Sequence, residues 1–227
     1  MGSAVSGSAL AALLAQGLRE IALPLGPAPA ELLLAYAAEV ARWTRRVNLT
    51  GFKDPERIVR DGILRSLRLL PFLPEGDWLT LADVGSGAGF PGIPLKVARP
   101  GLRVTLIEAS RRRASFLIHA IRLLGLDGIS CLRARVEALD EHPSLRGSFD
   151  VVTARALAPL PKALALLAKL IAPGGTLLIP QGKGEGPSQS FSPPDGQLLE
   201  FRRLLATPLL PEETVAILRA RDVSRET

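Results

Sequence analysis

The sequence predicts an α/β fold: a seven-stranded, mostly parallel sheet with an N-terminal helical cap, divided at residues 1–75 and 76–227. Three observations carry this reading. Up to about residue 75, apolar residues recur at helical spacing. Beyond Pro74, short apolar runs of strand length alternate with helical segments. A cluster of glycines closes the first of those runs. Strands that alternate with helices argue for a parallel sheet covered on both faces.

In the cap, Ala9 to Leu23 is an Ala/Leu-rich helix closed by Pro24, and Gly26 to Pro29 reads as a linker. Glu31 to Val47 follows, with Leu33, Ala37, Val40 and Ala41 on one face. Asp54-Pro55-Glu56 starts a third helix, with Asp as cap and Pro at its first position, running to about Leu73. Strands are expected at Leu79–Val84, Val104–Ile107, Ile129–Leu132, Val151–Thr153 and Thr176–Ile179. Helices are expected between them at Pro94–Val97, Ser110–Leu124 and Pro161–Ile171. Gly182 to Gln197, rich in Gly, Pro and Ser, reads as a mobile loop. Arg203–Thr207 and Thr214–Leu218 then read as two strands with a proline-marked turn between them. With no helix between them they imply an antiparallel pair at the sheet edge. Arg221 to Thr227 reads as a polar end.

Composition narrows the chemistry. A chain of 227 residues, 47% of them hydrophobic, builds a core without staples. One cysteine (Cys131) and two distant histidines (His119, His142) exclude structural zinc, iron–sulfur and disulfide frameworks, so no metal is expected. No apolar run reaches membrane-spanning length, and Met1 to Ser8 lacks the basic flank of a secretory signal, so a cytoplasmic protein is expected. The net charge is +6, with 23 arginines against five lysines. A nucleic-acid partner and a GC-rich coding bias account for that excess equally well.

The glycine cluster carries the functional signal. Asp83-Val-Gly85-Ser-Gly87-Ala-Gly89-Phe90-Pro91-Gly92 follows the first strand directly. Glycines there let the backbone turn sharply and approach a ligand. Glu108 ends the second strand, 21 residues beyond Gly87, where an acid can accept both hydroxyls of a ribose. These two features suit NAD and S-adenosylmethionine (SAM) alike. The spacing is G-x-G-x-G, however, with Phe90 where a dinucleotide fingerprint has its third glycine. Asp83 would also repel a pyrophosphate, while it can hold the ammonium of a methionine moiety. SAM is therefore favoured.

The string DVGSGAGFPGIPLK (Asp83 to Lys96) resembles the SAM-binding motif of the glucose-inhibited division protein B family, the 16S ribosomal RNA guanine-N7 methyltransferases. Val47-Asn48-Leu49-Thr50, Arg135-Val136-Glu137 and Arg155-Ala156-Leu157-Ala158 match the same family in order. The resemblance runs from about Asn48 to Gly182. It implies a Rossmann-like SAM-dependent methyltransferase sheet, with Asp83, Gly85, Gly87, Gly89 and Phe90 against the cofactor. Glu108 would take its ribose, Val136 and Glu137 its adenine, and Arg155 would face the methyl-transfer site. The implied partner is small-subunit ribosomal RNA or the assembling 30S particle, met by a monomer with no membrane association.

The chemistry agrees with that acceptor. Adenine amines call for a D/N-P-P-Y/F-type motif after the fourth strand, where this chain has Thr153-Ala-Arg155-Ala. Cytosine C5 calls for a cysteine nucleophile, and Cys131 falls inside a strand. Guanine N7 offers a lone pair and needs no general base. Arg155 is then positioned to donate to guanine O6 or a nearby phosphate as N7 becomes positive. Basic residues concentrate in Arg42–Arg68, eight against three acids, and in Lys96–Arg122, seven against Glu108. From these, Arg45, Arg46, Arg65, Lys96, Arg111, Arg112 and Arg113, together with Lys183, are the RNA-binding candidates.

Three positions depart from the family pattern. The family's R-H-I-L-D-S-L is here Asp61-Gly62-Ile63-Leu64-Arg65-Ser66-Leu67, its Lys-Gly aligns with Gln181-Gly182, and its basic C-terminal tail is missing. Either the substrate contacts are rebuilt, with Arg65 and Lys183 substituting, or the target differs. Two other functions stay open: a non-catalytic RNA-binding or ribosome assembly factor on the same fold, and an NAD-linked oxidoreductase.

Overall fold

The computed structural model describes residues 7–181 and 197–221. Most of the Gly/Pro/Ser-rich loop, with Lys183, and the tail beyond Arg221 lie outside the described residues.

The chain opens with helices α1 (Gly7–Glu20) and α2 (Pro27–Thr44). Proline costs nothing in the first turn of a helix, so most of the stretch read as a linker is instead the start of α2. Helix α3 (Pro55–Arg57) is capped as expected: the Asp54 side chain accepts from the Arg57 N–H at 2.8 Å. It continues without a break through a π-helical stretch, Ile58–Leu64, into α4 (Arg65–Leu67). The sequence gives no sign of the π geometry, because apolar periodicity does not separate neighbouring helix types. An α-helix would direct the Arg65 N–H to the Asp61 carbonyl; here it goes to the carbonyls of Arg60 and Gly62.

The sheet begins with β1 (Thr80–Val84), then α5 (Gly92–Ala98), β2 (Arg103–Ile107), α6 (Arg111–Leu123) and β3 (Ile129–Leu132). After two short 3-10 turns come β4 (Phe149–Ala154), α7 (Leu160–Leu167), β5 (Ile171–Gln181), β6 (Gln197–Leu204) and β7 (Glu213–Ala220). The strand order is β3-β2-β1-β4-β5-β7-β6. The first five strands pair in parallel, and β7 runs antiparallel to both β5 and β6.

Two boundaries differ from the sequence reading. The helix expected to reach Ile171 ends at Leu167, because Ile171 already pairs with Phe149 of β4. The strand expected at Arg203–Thr207 is Gln197–Leu204. Its register is fixed by β7, with Gln197 opposite Ala220 and Leu204 opposite Glu213, and the three residues after Leu204 belong to the connection.

Alternate residues of the strands feed two cores, as a pleated sheet requires. Leu81, Leu106, Val151, Leu178 and Ile217 face a cluster built with Leu33, Val40, Ile63 and Leu64 of the helical cap and Phe116 of α6. Ala82, Ile107, Val152, Leu177 and Leu218 face a second cluster with Leu164 and Leu167 of α7. Cap and sheet therefore share one core, and the cap is seated along the face from which the glycine loop rises. No helix among the described residues is long and apolar enough to cross a membrane.

Candidate active site

The strand order reverses between β1 and β4, the place where open α/β sheets bind ligands at their carboxyl ends. Asp83 and Val84 stand beside Thr153 and Ala154, so Gly85 and Arg155 leave the sheet next to one another. Gly85 has φ +75°, and a Cβ there would lie 2.8 Å from Leu157 Cδ1. Neither condition tolerates a side chain. Gly87 and Gly89 also have positive φ, at +59° and +97°.

Two carboxylates frame this turn. Asp83 is fully buried; its Oδ2 accepts from the Gly92 N–H at 3.0 Å, while Oδ1 is buried without a partner. Burial pushes its carboxyl up to about 7, against the pull of the Gly92 N–H and of Arg155 nearby. Glu108 accepts from the Gly87 N–H at 2.9 Å and from the Ser110 N–H at 2.8 Å. A carboxylate has about four acceptor positions, so two remain for vicinal hydroxyls. An orphaned buried acceptor, a turn with glycine at residues 85, 87 and 89, and a carboxylate with spare lone pairs fit SAM.

The cap supports the loop from the other side. The Tyr36 hydroxyl of α2 donates to the Ala88 carbonyl, and its ring meets Phe90 edge-on at 5.5 Å. Burial holds the phenol well above its ordinary value, so it stays a donor. Phe90 in turn packs on Gly62, where a Cβ would come within 2.5 Å of its ring.

Arg155 stands between two cavities. One, of about 330 Å³, lies under the Leu49–Phe52 strap and is lined by Gly85, Ser86, Gly87, Phe90 and Arg113. The other, of about 580 Å³, is lined by Arg65, Ile179, Gln181 and Glu213. Arg155 and Ala156 line both. The guanidinium is fixed by the cap: Nη2 donates to the Asp61 carbonyl at 2.5 Å, the oxygen that the Arg65 N–H bypasses. It also lies over the Phe52 ring, 5.9 Å from the centroid, with Arg57 over the same ring at 5.2 Å. Val136 and Glu137 open the turn after β3 and are not among the residues lining these cavities.

The basic candidates divide. Arg45, Arg46, Arg111 and Arg112 are exposed. Arg113 is turned inward, its Nε donating to the Asn48 carbonyl at 3.1 Å, which ties α6 to the strap. Lys96 is not an RNA contact: it is buried, and its Nζ donates to the carbonyls of Pro100 and Leu102 at 2.5 and 2.7 Å. Its place in the basic Lys96–Arg122 segment made it a candidate, but the turn before β2 folds back over it. Arg65 points into the larger cavity, paired with Glu213. Lys183 lies outside the described residues.

Cys131 sits in β3 half-buried, and burial pushes its thiol up to about 11, which suits packing rather than nucleophilic attack. Among the described residues no group of three His, Cys, Asp or Glu could hold a metal. Sequence reasoning missed Tyr36, Phe52, Asp61 and Glu213. Tyr36 is the only tyrosine and lies on the apolar face of its helix, a signal that was available. Nothing local marks Glu213, whose partner is 148 residues away.

Comparison with known proteins gives concordant matches. Residues 30–190 match the family described as rRNA small subunit methyltransferase G (GidB). A ribosomal RNA small subunit methyltransferase G from Stenotrophomonas maltophilia is 42% identical over 175 residues, covering 77% of this chain and 78% of that one. One of the same name from Burkholderia thailandensis is 36% identical over 206 residues, 90% and 88% of the two chains. Among solved structures, a SAM-dependent methyltransferase from Aquifex aeolicus superposes with a TM-score of 0.53 at 17% identity, covering 81% of this chain and 97% of that one. At that identity the likeness concerns the fold.

Proposed function

The chain belongs to the rRNA small subunit methyltransferase G family of SAM-dependent methyltransferases, and on that premise we propose that it methylates N7 of a guanine in 16S ribosomal RNA, in the decoding region of the small subunit. SAM, when bound, supplies an electrophilic methyl group on a sulfonium. Gly85, Gly87, Gly89 and Phe90 form the surface against which it lies, Asp83 receives its ammonium, Glu108 its ribose hydroxyls, and Val136 and Glu137 flank its adenine.

The observation that carries the acceptor is Arg155 between two adjoining cavities, whose one lining carboxylate, Glu213, is already paired with Arg65. Transfer to a lone pair needs proximity and alignment rather than proton removal. The hydrogen bond that Arg155 donates to the Asp61 carbonyl, with the Phe52 ring, holds the guanidinium at the junction. From there it donates to guanine O6 and offsets the charge that grows as N7 takes the methyl. Burial and the neighbouring Arg65 lower the Arg155 pKa from its ordinary value, yet an arginine remains a cation at neutral pH. The acceptor meets the protein in the cytoplasm, as naked RNA or as an assembling particle.

Radiolabelled methyl transfer to small-subunit rRNA tests this. Arg155→Ala is expected to lower turnover by about 100-fold, the usual scale for one electrostatic donor, with SAM still bound. Unchanged turnover would remove Arg155 from the mechanism. Calorimetry separates the remaining readings: the oxidoreductase alternative requires NADH to bind in place of SAM. The assembly-factor alternative requires SAM and RNA binding without methyl transfer.

A further inference from the structure

We propose that the cavity beyond Arg155 seats the acceptor nucleotide and that Arg65, held by Glu213, binds its phosphate. The inference rests on the RNA methyltransferase reading above.

The cavity of about 580 Å³ exceeds what a methyl-transfer junction needs and is open to one side of Arg155. Its polar wall is unusual. Arg65 forms a two-point fork with Glu213, Nη2 to Oε1 at 2.5 Å and Nε to Oε2 at 3.3 Å. Glu213 is almost fully buried, and Arg68 flanks its other side with Nη1 3.9 Å from Oε2. Arg68 is itself buried and donates to the carbonyls of Pro211 and Leu205 at 2.8 and 2.6 Å, which pins the turn leading into β7. Arg65 therefore cannot swing away without leaving a buried carboxylate short of a partner, a costly state.

Charge and donor counts point to an anion. Arg65 and Arg155 present two guanidinium groups to the cavity, against one carboxylate that already lies between Arg65 and Arg68. A guanidinium has five N–H donors, and the fork with Glu213 occupies two of them. The remainder suit a phosphate, which arginine binds with the same planar geometry. With the base against Arg155 and Ala156, which line both cavities, a nucleotide's phosphate falls toward the Arg65 end. Arg65 and Gln181, two of the departures from the family pattern, both line this one cavity. Positive charge is thus present at residue 65 where the family's lysine at residue 181 is replaced by an uncharged amide. Arg65 is here a substrate-binding residue held from behind by Glu213.

The test is equilibrium binding of transcribed small-subunit rRNA across a salt series, with steady-state methyl transfer alongside. Three variants are compared with the wild type: Arg65→Lys, Glu213→Gln, and the double variant Arg65→Gln/Glu213→Gln. The double variant removes both members of the fork and leaves Arg68 its bonds to the Pro211 and Leu205 carbonyls. We expect it to lower the slope of log K against log salt by about one, to raise KM for RNA about tenfold and to leave SAM affinity unchanged. Arg65→Lys should restore the slope but not KM, since a point charge lacks the fork. Glu213→Gln should keep the slope and raise KM. If the double variant keeps the wild-type slope and KM, the proposal is overturned. It is also overturned if SAM affinity falls in parallel, which marks a purely structural pair. If the wild type binds RNA but transfers no methyl, the proposed activity fails while the salt slope still decides the role of Arg65.

Discussion

Asp83 is a buried carboxylate that the fold holds at a cost in stability. Its carboxyl is pushed up to about 7 by burial, against an unfolded value near 3.8. The native state then holds a proton that the unfolded state has released. This group's contribution to stability is therefore lost as pH rises from about 4 to 7. The difference corresponds to about 4 kcal/mol at pH 8. Asp83→Asn keeps an acceptor for the Gly92 N–H and removes the charge, so it should raise the Tm of the ligand-free protein at pH 8. The gain should shrink toward pH 4, and SAM affinity should fall at least tenfold. A thermal series at several pH values with SAM titrations checks both. An unchanged Tm at pH 8 would show that the carboxyl is not held under strain. The places of these residues were legible in the sequence: Asp83, Glu108 and Arg155 were expected at strand ends, and they stand at the ends of β1, β2 and β4. Tyr36 and Glu213 were not, since their roles depend on contacts across 52 and 148 residues.

The helix that begins at Asp54 carries the information that periodicity hides. Its apolar positions predicted a helix correctly, and its cap was read from Asp54-Pro55. Within its π stretch the Arg65 N–H bypasses the Asp61 carbonyl, and that carbonyl accepts from Arg155 Nη2. Gly62 sits in that stretch with Phe90 across its face. Gly62→Ala should overpack this contact, costing about 1–3 kcal/mol, and should weaken SAM binding through the displaced Phe90. Denaturant melts and SAM titrations read this out; a stability within 0.5 kcal/mol of wild type, the usual scatter of neutral changes, would mean that Phe90 moves freely. At the other end of the chain β6 was misplaced for a related reason. Its register is dictated by β7, and the local Gly, Pro and Ser content gave no hint of it.

At the scale of the whole molecule, the excess of arginine resolves into separate uses. Arg57, Arg60, Arg65 and Arg68 are taken up in ion pairs with Asp61 and Glu213. Arg45, Arg46, Arg111 and Arg112 are exposed on the cap and at the start of α6, and we propose that they meet RNA phosphates. We also propose that residues 1–75 serve as a cap on the 76–227 sheet domain rather than as a separate folding unit, since the two share one core. Removing Arg111 and Arg112 together should lower the salt slope of RNA binding by about two without changing SAM affinity; an unaltered slope would take that face out of the interface. The central claim, methylation of guanine N7 in small-subunit rRNA, is tested most directly by nucleoside analysis of that RNA from a strain lacking this gene. The account predicts that one 7-methylguanosine disappears and returns with the wild-type gene but not with Asp83→Asn. An unchanged 7-methylguanosine content in the deletion strain would contradict it.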